Sequence, residues 1–180
     1  MPTSDLPQPT LIQRAQRGEA QAVSELYQLH APAIFRYFYF RVQDRAAAED
    51  LTSEVFIKMI EGLPRYEERG FPISAWLFRI AHDRVVDHHR RSAYRQAEPL
   101  SDTLEAREAG TEAQALARAE QDRLLLLLGT LTDEQQTVVQ LRFIEGLSLE
   151  DCAQILGKTS GAIKSLQHRA LRQLGQKLER

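Results

Sequence analysis

The stretch LSLEDCAQILGKTSGAIKSLQHRALRQL, residues 147–174, decides how the 180-residue chain is read. It holds a short apolar-patterned segment, a break at Gly157, and a longer segment carrying Lys164, His168, Arg169 and Arg172. In the first segment Leu149, Cys152, Ala153 and Leu156 recur at i, i+3, i+4 and i+7, which gives a helix one buried face. GKTS supplies a glycine turn and a Thr/Ser cap for the next helix. At about 100° per residue, Ile163, Leu166, Ala170, Leu171 and Leu174 of that helix share one arc of roughly 140°. Lys164, Ser165, His168, Arg169 and Arg172 fill a separate arc. A DNA-recognition helix needs this sorting, because base edges offer donors and acceptors while phosphates attract Lys and Arg. A surface helix with a solvated basic face has the same pattern. The two caps, the short turn and the sorted second helix favour DNA contact.

Working outward, the rest of the chain reads as all-α. A capping box, Thr132 with Gln135, opens DEQQTVVQLRFIEG, and Ser148 opens the next helix in a weaker version. ALARAEQDRLLLLLGTL precedes them as a helix. Upstream, residues 10–42 carry apolar residues at helical spacing, interrupted near Gly18 and Pro32. RAAAEDLTSEVFIKMIEGL is rich in helix formers and stops at Gly62-Leu63-Pro64. PRYEERGFPIS reads as a loop, with Ser74 as the cap of AWLFRIAHDRVVDHHRRSAYR. Between the halves, QAEPLSDTLEAREAGTEAQA loses aromatic residues and gains acid, Pro and Gly, the composition of a linker that is partly helical at most. The reading is two small helical domains, 1–95 and 119–180, joined by an acidic linker, 96–118.

Composition narrows the function classes. Hydrophobic content of 43% and charged content of 27% fit a globular protein. No apolar run approaches the ~20 residues of a membrane span, so no direct membrane insertion is expected. MPTSDLPQPT has neither a basic start nor an apolar stretch, and a cytoplasmic location is the expectation. The single cysteine, Cys152, excludes an internal disulfide framework and a multi-cysteine zinc site; on its helix it reads as a small packed hydrophobe. Net charge is −2, but its distribution is uneven. Residues 157–180 hold 6 Lys/Arg against 1 Asp/Glu, residues 75–95 hold 5 against 2, and residues 96–135 hold 3 against 9. Two cationic segments on a weakly acidic chain point to local contact with polyanions.

The earlier cationic segment is SAWLFRIAHDRVVDHHRR. Leu77, Ile80, Ala81 and Val85 fall on a core side, while Arg79, His82, Asp83, Val86, Asp87 and Arg90 lie on the other, with Trp76 at the edge. Tyr66 and Phe71 stand in the loop before it. Cations beside aromatic residues suit single-stranded nucleic acid, whose bases stack on rings while Arg holds phosphates. For Trp76 alone, a place in the core is favoured.

These residues carry a family resemblance. The chain resembles the extracytoplasmic-function sigma factors, the minimal sigma-70-type promoter-recognition subunits of bacterial RNA polymerase. AAAEDLTSEVFIKMIEGL resembles the helix that docks on the polymerase clamp. ERGFPISAWLFRIAHDRVVDHHRR resembles the segment that reads and melts the −10 element. LLLLLGTLTDEQQTVVQLRFIEGLSLEDCAQILGKTSGAIKSLQHRALRQL resembles the helix-turn-helix domain for the −35 element. The resemblance implies that Asp50, Leu51, Glu54 and Phe56 contact polymerase. Residues 66–71, with Tyr66, Arg69 and Phe71, would form a pocket loop for a flipped base, and Trp76, Arg79, Asp83, Asp87 and Arg90 would border melted DNA. Lys164, Ser165, His168, Arg169 and Arg172 would meet the −35 duplex. The implied partners are core RNA polymerase, promoter DNA and an anti-sigma factor, with no cofactor. Two positions depart from the family pattern: Asp83 stands where many members carry Asn, and Leu166 where relatives often carry Arg.

Two other classes compete. A stand-alone helix-turn-helix regulator would use the N-terminal half for dimerisation or sensing. A metal-dependent hydrolase is hinted at by His82-Asp83 with Asp87, His88 and His89. Such a site needs ligands from distant helices, and His30 alone stands upstream, so the reading is that no metal is bound. His88 and His89 then add pH-dependent positive charge.

Overall fold

The computed structural model describes residues 10–95 and 112–178. The chain divides into two compact units, Met1–Val85 and Val86–Arg180, the division falling within a helix. Every regular element among the described residues is helical.

The N-terminal unit begins with α1 (Leu11–Gln16), closed by a capping box between Thr10 and Gln13. Gly18, at φ 82°, turns the chain into α2 (Ala20–Val42). Asp44 caps α3 (Arg45–Gly62), accepting from the Ala47 amide at 3.0 Å. A 3-10 turn, Leu63–Arg65, and a loop lead to α4 (Ile73–Arg95). α1 and α3 pack on α2. Tyr37, Phe38, Leu26 and Ile34 of α2, Val55 and Met59 of α3, and Leu77, Ala81 and Val85 of α4 are fully buried. The Tyr37 ring meets Phe78 edge-on at 5.6 Å, and its hydroxyl lies 3.3 Å from His82 Nδ1.

In the C-terminal unit, α5 (Glu112–Leu128) is followed by α6 (Asp133–Val139), which runs into a π-helical turn, Gln140–Ile144. α7 (Leu149–Leu156) and α8 (Ser160–Leu178) complete it. The capping boxes at Thr132/Gln135 and Ser148/Asp151 are both formed. α8 packs on α6 and α7. Leu128, Val138, Leu141, Cys152, Ile163 and Ala170 are buried between them.

Several sequence expectations are corrected. Pro32 does not interrupt α2: it faces solvent, and the buried residues on either side hold the helix through it. α4 starts at Ile73, so Ser74 lies inside it; Ile73 is itself buried, which draws the chain into the helix two residues earlier. The linker, expected to be partly helical at most, is not corrected: α5 starts at Glu112, and residues 96–111 lie outside the described residues. Phe78 and Ile155 join the core, and Ile80, Leu149 and Leu156 are only half-buried.

Both side-chain amide atoms of Gln140 are buried without a hydrogen-bond partner. Gln140→Met keeps the volume and removes that penalty, so it should stabilise the C-terminal unit by about 1–3 kcal/mol. Leu166→Ala opens a cavity and should cost about 2–5 kcal/mol. Thermal melts test both signs, and Cys152 provides a second readout. Burial pushes its thiol up to about 11, so a thiol reagent should label it only when the unit opens. A Gln140→Met protein that melts earlier than wild type, or a thiol that labels at once in the native state, contradicts this packing.

Candidate nucleic-acid interface

The C-terminal face is built on α8. Gly157, at φ 61°, makes the turn after α7, and the Thr159 hydroxyl accepts from the Ala162 amide at 3.2 Å to start α8. Lys158 pairs with Glu134 at 2.8 Å, tying the turn to the first turn of α6. From the π-helical turn, the Arg142 guanidinium donates to Gln167 Oε1 at 3.3 Å and to the Leu147 carbonyl. Sequence reasoning did not single out Arg142; a lone Arg in an apolar run gives no sign of its partners. Ile163, Leu166 and Ala170 are buried, which fixes the rotation of α8. Lys164, Ser165, His168, Arg169 and Arg172 are exposed together on the opposite arc. Leu171 departs from the packed arc at 43% exposed. On the wheel it sits at the rim, about 20° from Lys164.

The N-terminal face combines loop 66–72 with α4. Gly70, at φ 71°, turns the loop, and the Tyr66 hydroxyl donates to the Phe71 carbonyl at 2.9 Å. Burial lifts the Tyr66 phenol above its ordinary value, and the charge of Glu68 adds to this, so the hydroxyl stays a donor at neutral pH. Tyr66 stacks on Trp76 with ring centroids 4.9 Å apart and planes 28° from parallel. The indole also lies against Gly62, where a Cβ would fall 2.8 Å from Trp76 Cζ2. Trp76 is thus half-buried between Gly62 and Tyr66. Arg79, Asp83 and Arg90 are exposed on α4, and Asp87 and Phe71 are half-buried. Arg69 is exposed and pairs with Glu67. Arg84, which sequence reasoning left aside, reaches Glu54 on α3 at 3.8 Å.

On α3, Asp50 and Glu54 are exposed, but Leu51 and Phe56 are 7% and 4% exposed and pack inward. Their burial takes both side chains off the accessible face: Leu51 lies on the Ala48, Val55 and Met59 side of the helix, and Phe56 meets Tyr27 edge-on at 4.7 Å. Ile57 and Ile60, more than half exposed, stand on the outward side instead. Counting apolar residues off the buried period of α3 would have found them.

Among the described residues no group of three or more His, Cys, Asp or Glu lies close enough to hold a metal ion. Nor is any helix among them long and apolar enough to cross a membrane.

Residues 26–95 match the family model for sigma-70 region 2, and residues 127–176 match that for sigma-70 region 4. The ECF RNA polymerase sigma factor SigD of Mycobacterium tuberculosis is 35% identical over 171 residues, which cover 91% of this chain and 80% of that protein. The chain belongs to the ECF sigma factors of the sigma-70 family. The ECF RNA polymerase sigma factor BldN of Streptomyces coelicolor is 39% identical over 170 residues, 93% of this chain; the match spans 64% of that relative's length. Among solved structures, CnrH in complex with the cytosolic domain of CnrY shares the fold with a TM-score of 0.71 at 24% identity, over 94% of this chain and 95% of that one. The sigma factor RpoE of Bartonella quintana, solved with the anti-sigma factor NepR, does so at 0.69 and 22% identity, over 89% and 98%.

Within this sigma factor, Gly62→Ala should force the indole off the end of α3. Trp76 is the only tryptophan, so its emission reports the move directly. A red shift and stronger quenching by a soluble quencher are expected, with helix content unchanged. Emission identical to wild type would mean that the stack absorbs a methyl group without moving.

Proposed function

We propose that this sigma factor directs core RNA polymerase to promoters through two reading faces, loop 66–71 with α4 for the −10 element and the outward arc of α8 for the −35 element. The observation that carries the reading is that α4 and α8 each expose cations and hydrogen-bonding groups opposite a buried arc. Melted DNA would meet Tyr66, Arg69, Phe71, Trp76, Arg79, Asp83, Asp87 and Arg90. Duplex would meet Lys164, Ser165, His168, Arg169 and Arg172. Asp50 and Glu54, with Ile57 beside them, form the polymerase-docking face; Leu51 and Phe56 support it from inside. Domain boundaries at 1–95 and 119–180 follow the same division of labour, with residues 112–118 of α5 extending the second domain. The partners are core polymerase, promoter DNA and an anti-sigma factor, the last by analogy with the anti-sigma factor in complex with RpoE. The protein works in the cytoplasm and is not itself an enzyme: phosphodiester bond formation belongs to polymerase.

Run-off transcription with purified bacterial core polymerase tests this. Specific initiation should require the protein, which alone should bind promoter duplex weakly, because affinity comes from holding two small faces in register. Tight, specific duplex binding by the free protein with no effect on polymerase would establish the stand-alone regulator instead. Asp50→Arg reverses an outward charge without touching the core or the Glu54–Arg84 pair, and should weaken core binding by about ten-fold or more. Core binding at the wild-type level in a pull-down would remove the assignment of that face.

The α8 face makes its own prediction. Lys164→Ala should relax preference at one −35 position at a cost of ~1–3 kcal/mol if Lys164 meets a base. Arg172→Ala should weaken binding evenly across −35 variants and lower the salt slope by about one, as for a phosphate contact. Equal loss on all variants for Lys164→Ala would place its contact on the backbone.

A further inference from the structure

Gln16 ends α1, just before the Gly18 turn. Its side chain is half-buried and reaches across the N-terminal unit to residues 47 and 50 positions later. Nε2 donates to the Leu63 carbonyl at 3.0 Å and to the Tyr66 carbonyl at 2.7 Å. Both partners are main-chain oxygens, so only the nitrogen end of the amide satisfies them. Leu63 opens the 3-10 turn after α3, and Tyr66 is the first residue beyond it. The amide thus bridges the two ends of that turn.

Tyr66 is held in two further ways. Its ring stacks on Trp76, which lies against Gly62, and its hydroxyl closes the loop on the Phe71 carbonyl. Between these anchors Glu67, Glu68, Arg69 and Gly70 are exposed. The entry to the loop is therefore fixed by a residue of α1, while the loop's middle stays open to a ligand. Ordering a loop before binding removes an entropic cost that binding would otherwise bear.

We propose that Gln16 is a positioning residue: it presets loop 66–71, through the Leu63 and Tyr66 carbonyls, to receive an unpaired base. This rests on the reading of that loop as the −10 pocket.

The test uses the full chain, alone and bound to core polymerase. Gln16→Met keeps the length and removes the donor without adding charge. Gln16→Lys restores a donor. The ligand is a single-stranded oligonucleotide carrying the −10 segment of a promoter selected with the wild-type holoenzyme, against a non-promoter oligonucleotide of equal length. With Gln16→Met, the emission of Trp76 in the free chain should shift to the red. Binding of the −10 oligonucleotide by the holoenzyme should fall about ten-fold, with core binding unchanged. Gln16→Lys should recover the selective part of that binding, measured as the ratio to the non-promoter oligonucleotide. Unchanged emission, unchanged selective binding, or no rescue by Lys in a protein of wild-type helix content would overturn the proposal. Phe71→Ala separates this from failure of the pocket reading. If Phe71→Ala leaves selective binding intact, the loop is not the pocket; if Phe71→Ala abolishes it and Gln16→Met does not, the latch alone is wrong.

Discussion

Burial of Ile163, Leu166 and Ala170 against α6 and α7 sets the rotation of α8, and through it the composition of the exposed arc. A turn of one residue, about 100°, would carry Lys164 to the protein side and bring Leu166 out. The caps and ties serve the same end. Thr159 fixes where α8 begins, Lys158 joins its start to α6, and Arg142 holds Gln167 and the Leu147 carbonyl together. The polar arc is in this sense a product of the apolar one. α4 repeats the principle: Leu77, Phe78, Ala81 and Val85 are buried, and Arg79, Asp83 and Arg90 are what that burial leaves outside.

Charge follows the same local logic. A chain of net charge −2 approaches DNA through faces, not through its total. Several cations away from the outward arcs are paired inside their own unit: Arg14 with Glu19, Arg84 with Glu54, Lys158 with Glu134. Such partly exposed pairs stabilise little, but they orient long side chains and lower stray positive potential. On α3 the balance is reversed, and Asp50, Glu54 and Glu61 share the outward side with Ile57. On the proposed reading, the acidic and apolar face serves docking and the cationic faces serve reading, so the two kinds do not compete for one ligand.

Local signals in the sequence were legible because they act locally. Both capping boxes in the C-terminal unit, the Gly157 turn and the sorting of α8 follow from residues within a few positions of each other, and the family resemblance rests on the same segments. What escaped depends on distant partners. Pro32 reads as a break until the packing on both sides of it is known. Leu51 and Phe56 share a motif with Asp50 and Glu54, but helix geometry sends them inward. Ile57 and Ile60 look like core residues until the other face of α3 proves to be the buried one. Gln16 gives no signal at all, since its acceptors are main-chain oxygens that any residues at 63 and 66 would supply. Gln140 is the reverse case, a polar residue in an apolar run that is buried without a partner.

Asp83 shows how these constraints meet at one position. It is exposed on the arc that also carries Arg79 and Arg90, so it is not there to pack. Arg79 lies one helical turn before it on the same arc. A carboxylate only accepts hydrogen bonds, and it repels phosphate. On the proposed reading it cannot hold the backbone of melted DNA, whereas an exocyclic amino group of cytosine or adenine suits it. An Asn at the same place would tolerate either a donor or an acceptor. On that reading, Asp in place of Asn would narrow the bases accepted by α4 by penalising the wrong ones, at the expense of some general affinity. That loss is tolerable only where a second face, on α8, supplies binding of its own.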